Sequence, residues 1–154
     1  MSFTPTADIS TRFPVSADIV WAALTKHRYT SEWWTSLQLP KRSGARASFQ
    51  TPRPRKKRPR VATGRVVRVT KGEEIQLSLL SQPRGVHSDV TITVTQLAHK
   101  TRVRVVEQGF ADAEDPQRVI AESRDGWREF LGALGEYLAD NKTVARIERR
   151  IHDA

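Results

Sequence analysis

The chain has 154 residues, and its 26 basic against 17 acidic side chains give a formal net charge of +9. This length favours one domain, residues 1–154, that is large enough to bury a core, and Val, Ile, Leu and Phe reach about 23% of the chain, above the range typical of disorder. Cysteine is absent, which excludes a disulfide framework, a thiolate nucleophile, an iron–sulfur cluster and a cysteine-based zinc site.

The chain begins with a predicted strand followed by two predicted short helices. Alternating apolar positions indicate a strand that ends at Pro14, which lacks an amide donor. Ser16 is a suitable N-cap for a helix that continues to about Thr25. A second helical turn follows it. The residues behind these predictions are Ile9, Thr11 and Phe13 in the strand, Val20, Trp21 and Leu24 in the first helix, and Tyr29, Trp33 and Trp34 in the second.

Between about residues 37 and 110 the pattern changes to period-two alternation, which is typical of antiparallel strands with one buried face. Polar Thr, Ser, Gln and Arg side chains fill most of the intervening positions. The predicted strands contain, in chain order, residues 45–51, then Val66, Val67 and Val69, then Ile75, Leu77 and Leu79, then Val90, Ile92 and Val94, and finally Val103 and Val105.

The proline-rich segment of residues 52–60 contains six cationic residues among eight consecutive positions. This composition predicts an exposed loop. Such a charge run can bind nucleic acid or another polyanion by neutralising phosphates, and the alternative is a solvated loop without a partner. At the mouth of a ligand cavity the same loop would favour an acidic ligand. The six residues are Arg53, Arg55, Lys56, Lys57, Arg58 and Arg60.

The longest helical pattern begins at Asp115, the predicted N-cap, with Pro116 as the first helical residue, and continues to Ala139. About 36 Å long, this helix could cross a whole sheet. Its glycines predict a close backbone approach at one or more of them, and the charged tail, residues 141–154, is expected to fray or to extend the helix. The apolar face contains Ile120, Ser123, Trp127, Phe130, Leu131, Leu134 and Leu138, and the glycines are Gly126, Gly132 and Gly135.

Several segments together resemble a known family. They are ISTRFPVSADIVWAALT at residues 9–25, Trp33 and Trp34, GRVVRV at 64–69, TRVRVVEQGF at 101–110, and the pattern of Gly126, Trp127, Leu131, Leu134, Tyr137 and Leu138. Their order over residues 7–139 resembles the START-like (SRPBCC) superfamily, in the branch named after the activator of Hsp90 ATPase homologue 1. The resemblance implies an α+β helix-grip fold, in which a curved antiparallel sheet wraps around a long C-terminal helix, with two short helices after the first strand. It also implies a hydrophobic cavity between sheet and helix, and many members bind apolar small molecules.

Glu107 is the most informative ionisable residue, because alternation places it on the inward face with Val103 and Val105. A carboxylate there would be a polar anchor in an apolar pocket. The alternative is a position at the strand end, in water or paired with an arginine, since Glu is seldom fully buried.

A cavity between the sheet and the long helix predicts a set of ligand-binding residues, although any of the large aromatic ones could belong to the core instead. The predicted set is Trp33, Trp34, Phe49, Leu77, Leu79, Ile92, Val103, Val105, Glu107, Ser123, Trp127 and Phe130.

No catalytic, cofactor or metal site is predicted. The four histidines, at positions 27, 87, 99 and 152, have no ligand-type spacing. The chain lacks the G-x-S-x-G, G-x-G-x-x-G and P-loop patterns. The acidic residues Asp112, Glu114 and Asp115 are interpreted as complementing the positive end of the long helix rather than as calcium ligands.

Three functional hypotheses follow. The first is non-enzymatic binding of a hydrophobic or amphipathic small molecule in the cavity, and the second is polyanion binding through the basic loop. The third, from the family's name, is a partnership with an Hsp90-type chaperone. Some relatives with this fold catalyse cyclisations or condensations, but no catalytic pair can be named in this chain.

The N-terminus has no signal-peptide pattern and no apolar run is long enough to span a bilayer, which predicts a cytoplasmic protein.

Overall fold

Six antiparallel strands form one sheet in the computed structural model, which describes residues 6–34, 36–50, 61–82, 85–111 and 113–153. The strands lie in the order β1-β6-β5-β4-β3-β2, so β1 and β2 are the edges of the sheet. Each strand predicted from alternation is confirmed within this sheet. Their bounds are β1 (Thr6–Phe13), β2 (Arg46–Gln50), β3 (Val61–Thr70), β4 (Glu74–Gln82), β5 (Val86–Gln96) and β6 (Thr101–Gln108).

Four helices accompany the sheet in the described residues. Two short ones connect β1 to β2, and the long one follows β6, which confirms the α+β helix-grip fold. The second helix ends one residue before Trp34, so that Trp34 lies just beyond the predicted helical turn. The helices are α1 (Ala17–Thr25), α2 (His27–Trp33), α3 (Pro116–Leu138) and α4 (Asn141–Asp153).

The core lies between one face of the sheet and α3. Inward positions of the central strands are buried at every second residue, as period-two alternation requires. The apolar stripe of α3 recurs at three- and four-residue spacing and covers this face. Representative members of this cluster, each at most 1% exposed, are Leu77, Ile92, Val105, Phe130 and Leu134.

The two predicted N-cap residues are confirmed in position, but neither makes a side-chain cap hydrogen bond. Ser16 lies at the N-cap of α1, but its hydroxyl donates to the carboxylate of Asp18, which itself accepts the amide hydrogen of Ile19. Asp115 precedes Pro116 as predicted, yet it adopts a left-handed conformation with φ of 58° and makes no side-chain cap hydrogen bond. Both helices therefore begin at the predicted residues without a hydrogen bond from the cap side chain to the backbone.

The glycines of the sheet and of α3 differ in what surrounds them. A Cβ on Gly64 in β3 would lie 1.8 Å from the carbonyl oxygen of Ser78, so only glycine fits there. In α3, a Cβ on Gly135 would lie 3.4 Å from the ring of Phe13, whereas Gly132 has nothing within 4 Å. The close approach predicted for one or more of these glycines is therefore found at Gly135, against a ring, and Gly132 faces open space.

The predicted behaviour of the charged tail is also wrong. Residues 141–153 form a separate helix, α4, which packs back on α1 and buries Ile147 completely. Arg146 donates a 2.7 Å hydrogen bond to the carboxylate of Glu32 in α2, and the Tyr137 hydroxyl donates to the same carboxylate at 2.5 Å. This cluster joins α2, α3 and α4.

Some predictions fall on residues outside the described part of the chain. These are the six cationic residues of the basic segment and Asp112. Among the described residues, no helix is both long and apolar enough to cross a lipid bilayer.

Candidate functional site

A cavity of about 60 Å³ lies between the inner face of the sheet and α3. Its inner walls are buried side chains. Its half-exposed and exposed lining residues lie at the ends of β2, β3 and β4, with the exception of Gly126 on α3. This volume is far below the roughly 300–1,000 Å³ typical of pockets for drug-sized ligands, so it accommodates a small chemical group. The lining residues are Trp34, Phe49, Gln50, Val61, Ala62, Leu79, Ser81, Glu107, Ser123, Gly126, Trp127 and Phe130.

Four aromatic rings form most of the apolar wall. Phe130 lies among the other three, with ring centroids 5.4 Å from Trp34, 5.7 Å from Phe49 and 5.5 Å from Trp127. These pairs meet edge to face, the arrangement favoured by the ring quadrupole. The rings come from α3, from β2 and from the residue after α2, so the wall depends on the assembled fold.

Glu107 is the only ionisable side chain among the lining residues that the structure describes, and it is 4% exposed. Its hydrogen-bond partners come from two other elements: Ser88 on β5, and Ser123 and Trp127 on α3. The Ser88 hydroxyl donates to Oε2, while the Ser123 hydroxyl and the Trp127 indole donate to Oε1, the indole at 2.8 Å. Three donors therefore converge on one buried carboxylate.

The local structure explains this convergence. Glu107 follows Val103 and Val105 on the inward face of β6 and pairs in register with Val90 on β5. Ser88 precedes Val90 by two residues and so lies on the same face. On the opposite side, Ser123 and Trp127 are four residues apart and share one face of α3.

The arrangement can bind a hydrogen-bond donor next to an apolar surface. An ionised carboxylate has about four acceptor positions, and the described partners occupy two on Oε1 and one on Oε2. In the part of the chain that the structure describes, no group of three or more His, Asp or Glu side chains is placed to hold a metal ion.

The predicted ligand-binding residues divide into two groups. Seven of them line the cavity, namely Trp34, Phe49, Leu79, Glu107, Ser123, Trp127 and Phe130. The other five lie elsewhere in the core, namely Trp33, Leu77, Ile92, Val103 and Val105. Trp33, for example, donates its indole hydrogen to the carbonyl of Ala23 at 2.9 Å and contacts the ring of Tyr137.

Residues that the sequence analysis missed complete the site. Ser88 and Ser81 are each two residues from a buried, inward-facing residue, Val90 and Leu79 respectively, and so face inward themselves. This two-residue spacing is the signal that could have identified them. Serine is expected on the water-facing side, which is why alternation alone did not select it. The remaining missed lining residues are Gln50, Val61, Ala62 and Gly126.

Comparisons with solved structures agree with this fold. The chain is 22% identical to protein MLL2253 from Mesorhizobium loti, with a TM-score of 0.71 over 88% of this chain and 96% of that one. It is 18% identical to CalU16 from Micromonospora echinospora, with a TM-score of 0.67 over 94% and 82% of the two chains. DynU16, a protein in the dynemicin biosynthetic locus, is 21% identical with a TM-score of 0.74, and the match covers 91% of this chain but 49% of DynU16.

Comparison with curated proteins gave no match. The model of the family described as activator of Hsp90 ATPase homolog 1-like protein matches residues 14–139, which is most of the chain. The match ends where α3 ends, so α4 lies outside it. The chain belongs to the activator of Hsp90 ATPase homolog 1-like family, within the START-like (SRPBCC) superfamily.

Proposed function

We propose that this protein binds a hydrophobic or amphipathic small molecule, without catalysis, in the cavity between the sheet and α3. One observation carries the proposal: among the described residues, four aromatic rings and one buried carboxylate line the same cavity. Large aromatic walls supply apolar contact, and one polar group at a fixed position supplies orientation. No second ionisable lining residue stands beside Glu107 to act as its acid or base partner among the described residues.

The size of the cavity limits how a ligand can enter it. About 60 Å³ holds the small end of an amphipathic molecule, so the rest of the ligand extends past Val61, Ala62 and Ser81 at the half-exposed side. Each methylene removed from water there contributes about 0.8 kcal/mol. Affinity therefore comes from the apolar body, and Glu107 orients the polar end.

Mass spectrometry of the protein purified under non-denaturing conditions from its own cells tests the proposal directly. The expected result is a non-covalent adduct of small-molecule mass under native conditions that is lost under denaturing conditions. A ligand released during purification would escape this measurement, so a defined probe is also needed.

Hexan-1-ol is such a probe, because it combines a slender apolar chain with one hydroxyl. Ala62→Leu adds volume to the cavity lining and is expected to weaken hexan-1-ol binding about tenfold, measured by calorimetry. Thr63→Leu is the matched control, because Thr63 is exposed and adjacent residues of a strand face opposite sides. Equal binding of hexan-1-ol by both variants would reject the cavity as the binding site.

Polyanion binding through the basic segment is the second candidate function. Arg46 and Arg65 lie directly opposite each other on β2 and β3, and both are exposed. Like charges in that position repel, and a bound phosphate would relieve the repulsion. The two strands are the ones that residues 51–60 connect.

The partnership with an Hsp90-type chaperone is a third proposal, and it rests on the family's name alone.

A further inference from the structure

We infer that the ligand's buried end is a protonated amine, held by the carboxylate of Glu107 and enclosed by the aromatic rings of the cavity. This inference rests on the proposed function and specifies the chemical class of the ligand. Three observations lead to it independently of one another. They are the hydrogen-bond partners of Glu107, the lack of an ion pair to Glu107 among the described residues, and the aromatic composition of the cavity walls.

The acceptor positions of Glu107 favour a ligand that donates hydrogen bonds. Oε1 already accepts two hydrogen bonds, from Ser123 and Trp127, whereas Oε2 accepts one, from Ser88. An ionised carboxylate oxygen accepts about two. Glu107 lines the cavity, so a ligand that satisfies a further acceptor position of this carboxylate must donate a hydrogen.

The negative charge of Glu107 favours a ligand that carries a positive charge. Glu107 is 4% exposed, and all the ion pairs seen within the described ranges involve other residues. A buried carboxylate is stabilised by hydrogen bonds, and more strongly by a cation beside it. A ligand ammonium group would supply that cation. A ligand carboxylate in the same place would add a second negative charge at a site with little water.

The aromatic rings that line the cavity also favour a positively charged ligand. The faces of Trp and Phe rings attract cations through their quadrupoles, and this attraction increases when water is excluded. Trp34, Phe49 and Trp127 all line the cavity within 6 Å of the Phe130 ring centroid. A cage of aromatic rings that is closed by one carboxylate is chemically suited to an alkylammonium group. Neutral apolar ligands need the rings but not the carboxylate.

Three probes with the same six-carbon chain separate these contributions: hexylammonium chloride, hexan-1-ol and sodium hexanoate. Calorimetric titration near neutral pH and at about 0.15 M salt keeps the amine protonated and screens the surface charge. We expect hexylammonium to bind at least about tenfold more tightly than hexan-1-ol, because hydrogen bonds between charged groups are the stronger ones. Hexanoate should bind most weakly, even though the protein's net charge of +9 favours an anion.

Glu107→Gln removes the charge and keeps the shape. It should lower hexylammonium affinity at least about tenfold and change hexan-1-ol affinity by less than about threefold. Glu136→Gln is the matched control, because it makes the same charge change at an exposed position of α3. Thermal unfolding of both variants shows whether they are folded, and the comparison of the three probes on the unaltered protein does not depend on either variant.

The outcomes separate the two proposals. If hexan-1-ol binds but hexylammonium binds no more tightly, or if hexanoate binds best, the protonated-amine inference is wrong and cavity binding stands. If hexylammonium binds equally well to the unaltered protein and to folded Glu107→Gln, the inference is likewise wrong. If none of the three probes binds, both the inference and the proposed function are rejected.

Discussion

The indole nitrogen of Trp127 donates a 2.8 Å hydrogen bond to Oε1 of Glu107. This bond joins β6 to α3 inside the core, and both residues line the same cavity. The contact therefore belongs to the fold and to the proposed binding site at once. A substitution at either residue will affect stability, so binding experiments require variants that separate the two effects.

Trp127→Phe should destabilise the protein more than Trp21→Phe does. Both tryptophans are nearly fully buried, at 8% and 7% exposure, but the Trp21 indole nitrogen has no hydrogen-bond partner among the residues that the structure describes. Each substitution removes similar ring volume, and only Trp127→Phe removes a bond to a carboxylate. We expect a difference of about 1–3 kcal/mol in the free energy of unfolding by urea. Equal losses would show that the bond to Glu107 contributes nothing to stability.

Gly64→Ala should be severely destabilising. Its new methyl group would lie 1.8 Å from the Ser78 carbonyl oxygen, and backbone on a neighbouring strand cannot move away cheaply. We expect a loss of at least about 3 kcal/mol in urea unfolding. Gly132→Ala is the control, because the site in α3 is open and alanine favours helix by up to about 1 kcal/mol. A Gly64→Ala protein as stable as Gly132→Ala would contradict the strand geometry.

Ile147→Ala should cost about 2–5 kcal/mol, because Ile147 is fully buried in the core beside α1. Glu148→Ala, at the next and exposed position of α4, should change stability by less than about 0.5 kcal/mol. Thermal or urea unfolding measures both. If the two variants are equally stable, α4 does not pack on the core in solution.

The Glu32 cluster predicts a pH-dependent contribution to stability. Hydrogen bonds from Tyr137 and Arg146 lower the pKa of Glu32 below its ordinary value. A carboxyl group whose folded pKa is lowered stabilises the fold above its unfolded pKa, and this contribution is lost as the pH falls through the folded pKa.

The unaltered protein should therefore be more stable than Glu32→Gln at about pH 7, and the difference should shrink as the pH falls through the lowered pKa of Glu32. Because Glu32 is 39% exposed, solvent screening limits the difference to about 1 kcal/mol or less. Urea unfolding at several pH values measures it. A difference that stays constant with pH would show that the carboxylate charge is not its cause.

Neutralising the six cationic residues between positions 53 and 60 tests the polyanion hypothesis. Binding to duplex DNA should weaken steeply with salt in the unaltered protein, with a logarithmic slope of up to about −5 if all six residues contact phosphates. The neutralised variant should lose most of this slope. Retained affinity after neutralisation would exclude the segment as the binding element.

Periodicity was sufficient to predict the strands, the long helix and the inward position of Glu107, because each rests on local spacing between neighbouring residues. The partners of Glu107 depend on packing between elements that are distant in sequence. Ser88 was missed for this reason, although it is in phase with Val90. The packing of α4 was missed because charged residues surround Ile147, and only tertiary contact with α1 shows why that residue is buried.

The most direct test of the binding site uses the indole hydrogens of the four tryptophans as separate NMR reporters. Trp34 and Trp127 line the cavity, whereas Trp21 and Trp33 do not. Single Trp→Phe variants assign the four signals. On titration with hexylammonium, we expect saturable shifts of the Trp34 and Trp127 signals, with the Trp21 and Trp33 signals nearly unchanged. Saturable shifts confined to Trp21 and Trp33, or no shift of any indole signal, would contradict ligand binding in this cavity.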